Sequence, residues 1–145
     1  YQFSTSTMQY IGVLVNMNIL LKRNLTGLSI CEIGGGYGGQ CMTIFDVFKP
    51  KNYDIIDLPE VIDLQRRYLG DIANYYTEPT GKSYDLVISN YALSEISDNK
   101  RYIDEICMKS RSGYITCNTE KVHLPFAKKY PDVKGERESN YILVW

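Results

Sequence analysis

The sequence predicts an α/β protein in which helices pack on both faces of a doubly wound, mostly parallel sheet. Short apolar runs typical of buried strands alternate with segments whose apolar residues recur at helical spacing. A glycine cluster at residues 34–39 separates the first predicted strand from the helix that follows it. Residues 84–90 are apolar on both faces, as a central parallel strand requires. This alternation predicts a ligand crevice outside the carboxyl ends of the strands.

Length and composition are those of one globular domain. The chain has 145 residues, of which 44% are hydrophobic and 23% charged, and this is enough to bury a single core. We therefore expect one domain over residues 1–145, with an N-terminal helix at 6–22 before a core at 28–145. Because the chain begins with Tyr1, we also expect it to be part of a longer chain.

Charge and cysteine content argue against several classes of protein. The net charge of −1 gives no basic surface for nucleic acid, and no apolar run reaches the roughly 18 residues of a membrane span. The four cysteines contain no C-x-x-C pair, and the chain has one histidine. We therefore predict buried free thiols without disulfides or a metal site, in a reducing, cytoplasmic location.

The N-terminal helix is predicted to begin after a cap at Ser6 or Thr7. One predicted stripe along this helix consists of Ile11, Leu14, Val15, Asn18 and Leu21. Further apolar residues lie off this stripe, so we expect the helix to pack against more than one element.

The glycine cluster follows the predicted strand Ser-Ile-Cys-Glu-Ile (29–33) and precedes a helix at 40–48. Its spacing fits both G-x-G-x-x-G and G-x-G-x-G, with Gly34 and Gly36 common to the two patterns. Glycine lets the backbone turn sharply and approach a ligand, and the helix start attracts negative groups. Glu32, two residues before the first glycine, suits a ligand with an ammonium group and is an awkward neighbour for a pyrophosphate. The pattern therefore favours a cationic nucleotide-type cofactor.

An acidic residue ends the second predicted strand, at residues 53–58. Asp57 lies about 20 residues beyond the glycines, where a carboxylate hydrogen-bonds ribose hydroxyls in such folds. Pro59 is predicted to open the next helix. Residues 74–77 are predicted to form a short edge strand.

The remaining predicted elements follow the same alternation. A helix is expected from about residue 97, a fifth strand at 113–118, a charged turn at 134–138 and a closing strand at 141–145. We expect the glycines, Asp57, residues 90–95 and residues 118–123 to converge at the carboxyl edge of the sheet.

Three segments resemble a known family. They are Glu-Ile-Gly-Gly-Gly-Tyr-Gly-Gly (32–39), Ile-Asp-Leu-Pro-Glu-Val (56–61) and Leu-Val-Ile-Ser-Asn-Tyr-Ala-Leu-Ser-Glu (86–95). Together they resemble the sugar O-methyltransferases, a branch of the Rossmann-like class I enzymes that use S-adenosylmethionine (SAM). The resemblance covers residues 28–118 and implies SAM as cofactor and a carbohydrate hydroxyl as acceptor. Few residues follow the fifth strand, so we expect an abbreviated C-terminal edge.

The motifs and the resemblance together predict the site residues. The predicted cofactor-binding residues are Glu32, Gly34, Gly35, Gly36, Gly38, Asp57, Leu58, Asn90 and Tyr91. Glu95 is the first candidate for a general base, and an acid in the first turn of a helix is an equally good interpretation of it. His123, the second candidate, is the only histidine of the chain and lies in a loop expected on the ligand side, but a lone loop histidine is more often only solvated.

Two other functions fit the same pattern. One is a nicotinamide-dependent oxidoreductase, which would bind NAD and not SAM. The other is a non-catalytic interaction module that retains the SAM-binding fold.

Overall fold

The computed structural model describes residues 4–132 and 140–145. The strands are β1 Ser29–Ile33, β2 Asn52–Ile56, β3 Asn74–Tyr76, β4 Leu86–Asn90, β5 Gly113–Cys117, β6 Lys128–Pro131 and β7 Tyr141–Val144. The helices are α1 Thr5–Leu21, α2 Gly39–Val47, α3 Pro59–Leu69, α4 Ala92–Glu95 and α5 Asn99–Glu105. The predicted charged turn at 134–138 lies outside the described residues.

The seven strands form one sheet in the order β3-β2-β1-β4-β5-β7-β6. Strand β7 runs antiparallel to both of its neighbours, and the other described strands run parallel to one another. The strand order reverses between β1 and β4, which is where such sheets open a crevice at their carboxyl edge. The predicted doubly wound, mostly parallel α/β sheet is confirmed.

The C-terminal edge of the sheet keeps the antiparallel strand β7 and the edge strand β6, but the described chain has no helix between β5 and β6. Residues 118–127, between β5 and β6, form turns without a helix. Strand β6 was not predicted, because Lys-Lys-Tyr-Pro carries no alternating apolar pattern. It lies at the edge of the sheet, where lysine and proline are tolerated.

Helices cover both faces of the sheet, and the side chains of β1 alternate between the two cores. Ile30 packs in one cluster with Met17 of α1 and Ile44 of α2. Ile33 packs in the other cluster with Ile103 of α5. The predicted burial of the central strands on both faces is therefore observed. Because side chains alternate along a strand, this burial fixes which face of the sheet each side chain meets.

The start and the buried face of α1 differ from the sequence prediction. The N-cap is Ser4, whose Oγ accepts a hydrogen bond of 3.1 Å from the Thr7 amide, and not Ser6 or Thr7. Met17 is fully buried, whereas Ile11 and Val15 of the predicted stripe are 39% and 50% exposed. Apolar residues occur nearly all round this helix, so periodicity alone could not select its buried face.

The four cysteines are buried and free, as predicted. In the part of the chain that the structure describes, no group of three or more His, Cys, Asp or Glu side chains is arranged to hold a metal ion. Over the same residues, no helix has both the length and the apolar character needed to cross a membrane.

Candidate functional site

The glycine loop between β1 and α2 has the backbone that its composition predicts. Gly34, Gly36 and Gly38 have φ values of +74°, +55° and +100°, which L-residues with side chains rarely adopt. A Cβ atom at Gly34 would lie 2.1 Å from the Ala92 Cβ atom, and one at Gly38 would lie 2.6 Å from Leu69 Cδ1. These two glycines therefore allow the loop to pack against α4 and α3.

Gly36 differs from its neighbours because it faces open space. A Cβ atom at Gly36 would meet no other atom within 4 Å, whereas one at Gly35 would lie 2.9 Å from Ile55 Cγ2. The backbone at Gly36 is therefore the part of the loop that a ligand can approach closely.

A cavity of about 280 Å³ opens beside this loop, at the carboxyl ends of β1 and β4. Its lining includes six of the predicted residues: Glu32, Gly34, Gly35, Gly36, Asn90 and Tyr91. Helix α1 contributes Gln9, Tyr10, Val13 and Asn16, and the sheet beyond β4 contributes Tyr114, Thr116 and Asp132. The predicted convergence is therefore partly confirmed. The wall formed by α1 was not predicted, because sequence periodicity does not show where a helix crosses a sheet.

Glu32 is a buried acid in the cavity wall. The residue is 1% exposed, and its Oε2 atom accepts a hydrogen bond of 2.9 Å from the Tyr53 hydroxyl. Burial raises the pKa of Glu32 to about 8, opposed by the Tyr53 hydrogen bond and assisted by the charge of Asp57. This shift favours the protonated carboxyl group at neutral pH, and a cation bound beside it would favour the carboxylate.

Asp57 lies outside the cavity lining but is linked to the glycine loop. One carboxylate oxygen accepts the Leu58 amide at 2.9 Å, and the other accepts the Gln65 side-chain amide, also at 2.9 Å. The same Gln65 nitrogen donates to the Gly36 carbonyl oxygen at 2.7 Å. A single buried amide therefore holds the two predicted cofactor-binding elements in a fixed relation.

Gln65 was not predicted, although the sequence carries a signal for it. It is fully buried and lies on the inner face of α3 between the buried residues Ile62 and Leu69. A polar residue in a buried helical stripe is informative because burying it costs free energy unless it is hydrogen-bonded. Its Oε1 atom has no hydrogen-bond partner in the described chain.

Leu58 is the N-cap residue of α3 and is 66% exposed. It follows Asp57 directly and presents an apolar side chain to solvent beside that carboxylate. Leu58 and Gly38, like Asp57, lie outside the lining of the cavity.

Tyr91 has a strained backbone at the end of β4. Its φ of +68° is unusual for an aromatic residue, and its amide is fixed by the Thr116 carbonyl oxygen at 3.0 Å. The Tyr91 hydroxyl donates a hydrogen bond of 2.8 Å to Asp132 Oδ2. Burial, followed by this contact with Asp132, raises the pKa of Tyr91 above its ordinary value. Strain of this kind is common at functional sites.

Asn90 precedes Tyr91 and also lines the cavity. Its Oδ1 atom is buried and has no hydrogen-bond partner among the residues that the structure describes. A buried acceptor without a partner costs free energy, so a donor group on a ligand would stabilise it.

The two predicted bases are not among the lining residues of this cavity. Glu95 is exposed at the end of α4, and its Oε1 atom accepts a hydrogen bond of 2.7 Å from the Asn118 side chain. His123 is exposed in the connection between β5 and β6. Tyr91 and Asp132, by contrast, both line the cavity. Their hydrogen bond was not predicted from the sequence.

Comparison with solved structures identifies similar folds. The magnesium protoporphyrin IX methyltransferase of Synechocystis PCC 6803, solved with SAM, has a TM-score of 0.69 at 13% identity and covers 96% of this chain and 78% of its own. The Thermoplasma acidophilum 1320 protein has a TM-score of 0.66 at 15% identity, covering 94% of this chain and 86% of its own. The SAM-bound amino pentose methyltransferase of calicheamicin biosynthesis from Micromonospora echinaspora has a TM-score of 0.63 at 11% identity, covering 88% and 58%.

These likenesses show the fold alone, and they confirm the predicted Rossmann-like sheet. The chain spans 56% and 45% of the length of two further structures that it matches. No protein-family model matches the sequence, and comparison with curated proteins gives no match. The resemblance to sugar O-methyltransferases therefore stays a prediction.

Proposed function

We propose that the protein is a SAM-dependent methyltransferase that transfers a methyl group to a hydroxyl of a sugar or another small molecule. The observation that carries the proposal is the joint position of a buried carboxyl group, Glu32, and an open glycine backbone at Gly36. Both line one cavity at the reversal point of the sheet. The SAM-bound methyltransferases of similar fold support this choice of cofactor.

The residues of this region fit the parts of SAM. The Glu32 carboxyl group suits the ammonium group, and the open backbone at Gly36 lets the methionine portion lie against the loop. An ionised carboxylate has about four lone-pair directions, and the described contacts of Asp57 use two of them. The remainder suit ribose hydroxyls, and the exposed Leu58 offers an apolar surface for adenine.

Bound SAM supplies an electrophilic methyl group on a sulfonium sulfur. The chain then has to position the acceptor in line with that group, which accounts for much of the rate enhancement in such displacements. The unpartnered Asn90 Oδ1 atom suits a donor group on either ligand, and Tyr91 closes the cavity beside it. Helix α1 contributes a further wall of the cavity.

The charge of the cavity limits the acceptor. Glu32 and Asp132 are acidic, and no Lys, Arg or His occurs among its described lining residues. Among these described residues, a phosphorylated acceptor would find no counter-charge and would lose its hydration. The lining therefore supports an uncharged hydroxyl acceptor or an amine. The amino pentose methyltransferase of similar fold is consistent with this class.

Three groups are candidates for removing the acceptor proton. Glu95 and His123 serve as bases only if the acceptor extends beyond the cavity lining described above. The Asp132 carboxylate reaches the cavity through the Tyr91 hydroxyl, which stays neutral because its pKa is raised. An acceptor hydroxyl bonded to Tyr91 would pass its proton to the phenol oxygen as the phenol proton moves to Asp132.

Calorimetry with SAM, its demethylated product and NAD tests the cofactor. We expect saturable binding of the first two and none of NAD. Binding of NAD without SAM would instead support an oxidoreductase. We also propose a cytoplasmic location, which the four free buried thiols support.

A methyl-transfer assay with labelled SAM and a panel of neutral, amino and phosphorylated sugars tests the reaction. We expect transfer to neutral or amino sugars only. Tyr91→Phe, Asp132→Asn, Glu95→Gln and His123→Ala then distinguish the candidate bases, since loss of the true base lowers turnover by about 10² to 10⁴. SAM binding without transfer to any member of the panel would support the non-catalytic module.

A further inference from the structure

We propose that a groove at the edge of the sheet opposite the cavity binds a small phosphorylated molecule with an aromatic ring, such as a nucleoside monophosphate. This basic groove is lined by Arg23, Arg111, Lys128, Phe126, Tyr130 and Trp145, among others. The proposal does not depend on the proposed methyltransferase activity.

The topology explains why these residues meet. Strand β5 begins at the amino edge of the parallel strands, just after Arg111. Strand β7 runs the other way, so Trp145 follows its end at that same edge, and Gly113 and Trp145 exchange backbone hydrogen bonds of 3.1 and 3.3 Å. Lys128, at the start of β6, pairs with Val144 beside them. The basic groove therefore lies at the amino edge of the sheet, whereas the cavity lies at the carboxyl ends of β1 and β4.

The described lining of the groove concentrates positive charge. The described lining contains three cationic side chains and no Asp or Glu, and no ion pair joins those cations to a carboxylate in the described chain. Arg23 is fixed by hydrogen bonds from Nη1 to Ser112 Oγ at 3.1 Å and to the Asp85 carbonyl oxygen at 3.4 Å. These contacts use only part of its five-donor guanidinium group, which leaves donors suited to a phosphate.

Aromatic side chains accompany the charges. Trp145 and Phe126 pack edge to face with their ring centroids 5.5 Å apart, and Phe126 is 42% exposed. The Trp145 ring lies against Gly113, where a Cβ atom would come within 2.0 Å of it. Its indole nitrogen donates to the Ser110 carbonyl oxygen at 3.4 Å. The rings are thus held in place, and exposed aromatic faces stack on flat heterocycles.

The size of the groove favours a small ligand. Its volume is about 360 Å³, within the range of small-molecule sites. The overall charge of −1 argues against a long polyanion, which needs basic residues over a wider surface.

Trp145 is the sole tryptophan of the chain, so its fluorescence reports directly on the groove. We would titrate uridine monophosphate into the protein saturated with the demethylated product of SAM, which occupies the proposed cofactor site, and follow binding by calorimetry as well. We expect saturable quenching with a Kd below about 1 mM, weakened by added salt. Absence of saturable quenching in the wild-type protein would overturn the proposal.

Matched variants locate the binding. Arg111→Gln and Lys128→Gln, both exposed, should each raise the Kd by at least about fivefold, as loss of a charged contact requires. Arg67→Gln, an exposed cation on α3 outside the groove, should leave it unchanged. Uridine lacks the phosphate, and ribose 5-phosphate lacks the aromatic ring. If either compound binds as tightly as the nucleotide, the proposal that the groove recognises both groups is refuted. Asp57→Ala should not affect this titration, which separates its result from that of the SAM experiments.

Discussion

The Tyr53 hydroxyl donates a hydrogen bond of 2.9 Å to Glu32, and both side chains are buried between neighbouring strands. One neutral donor does not replace the hydration that an ionised carboxylate loses on burial. Burial raises the pKa of Glu32 from 4.5 to about 8, and this shift affects the free energy of unfolding as well as ligand binding.

We predict that the ligand-free protein loses stability as the pH rises from about 5 to 8. An acid whose folded pKa exceeds its unfolded pKa stabilises the folded state fully below the unfolded value, and this contribution is lost as the pH approaches the folded value. At about 1.4 kcal/mol per unit of pKa difference, the change amounts to several kcal/mol at most. Urea denaturation at a series of pH values measures it.

Glu32→Gln is the matched control for this pH dependence. The amide keeps the size of the side chain and can still accept the Tyr53 hydrogen bond, but it does not titrate. The slope of unfolding free energy against pH should therefore flatten between about pH 5 and 8. Equal slopes in the two proteins would mean that Glu32 is ionised in the folded state.

We predict that SAM affinity rises with pH in the same window. Binding an ammonium group to Glu32 requires the carboxylate, so the protein releases a proton as the ligand binds. The Kd should fall by up to about tenfold per unit between about pH 5.5 and 7, below the pKa of the ligand's own amino group. Calorimetry in buffers of different ionisation enthalpy counts the released protons, and their absence would contradict a role for Glu32.

We predict that Asp57 and Gln65 act as a unit. Asp57→Ala should weaken SAM binding by roughly 1.5 to 3 kcal/mol, the scale of a lost charged hydrogen bond. Gln65→Met keeps the volume but loses the contacts to Gly36 and Asp57, and should weaken SAM by about tenfold. The double variant should lose less than the sum of the two, whereas Asp63→Ala, an exposed acid on the same helix, should bind normally. Strict additivity would show that Gln65 does not act through Asp57.

We predict that Gly36→Val abolishes SAM binding while leaving the fold intact by circular dichroism. The new side chain has no protein neighbour within 4 Å but fills the space beside the loop. Gly81→Val is the matched control, because Gly81 also has a positive φ and an open surrounding and pays a similar backbone cost of about 1–2 kcal/mol. Equal SAM affinity in the two variants would exclude Gly36 from the site. Gly34→Ala should instead destabilise the fold through its contact with Ala92.

The sequence predicted most of the sheet, because buried parallel strands leave a local apolar pattern. Strands β1, β2, β4 and β5 lie where that pattern placed them, and β3 lies where a short edge strand was predicted. Strand β6 was missed because an exposed edge strand needs no apolar pattern. The buried face of α1 was wrong for a related reason. When a helix is apolar nearly all round, its sequence does not indicate which side packs against the sheet.

The candidate site was predictable where a backbone motif defines it. Glu32 and the glycines belong to one short segment of the chain, so their spacing in the sequence was enough to predict them as site residues. Gln65 and Asp132 reach the region from other elements, and their contacts depend on helix rotation and strand order. Tyr91 was predicted as a cofactor-binding residue, but its bond to Asp132 joins β4 to the end of β6 and is not visible in either segment alone.

Helix α1 passes from one proposed ligand site to the other. Residues 9–16 line the cavity, and Leu20 and Leu21 line the basic groove. If a ligand shifts this helix at one end, the free energy of binding at the other end changes with it. By thermodynamic linkage, the factor by which a nucleotide in the groove alters the Kd for SAM must equal the factor by which SAM alters the Kd for that nucleotide.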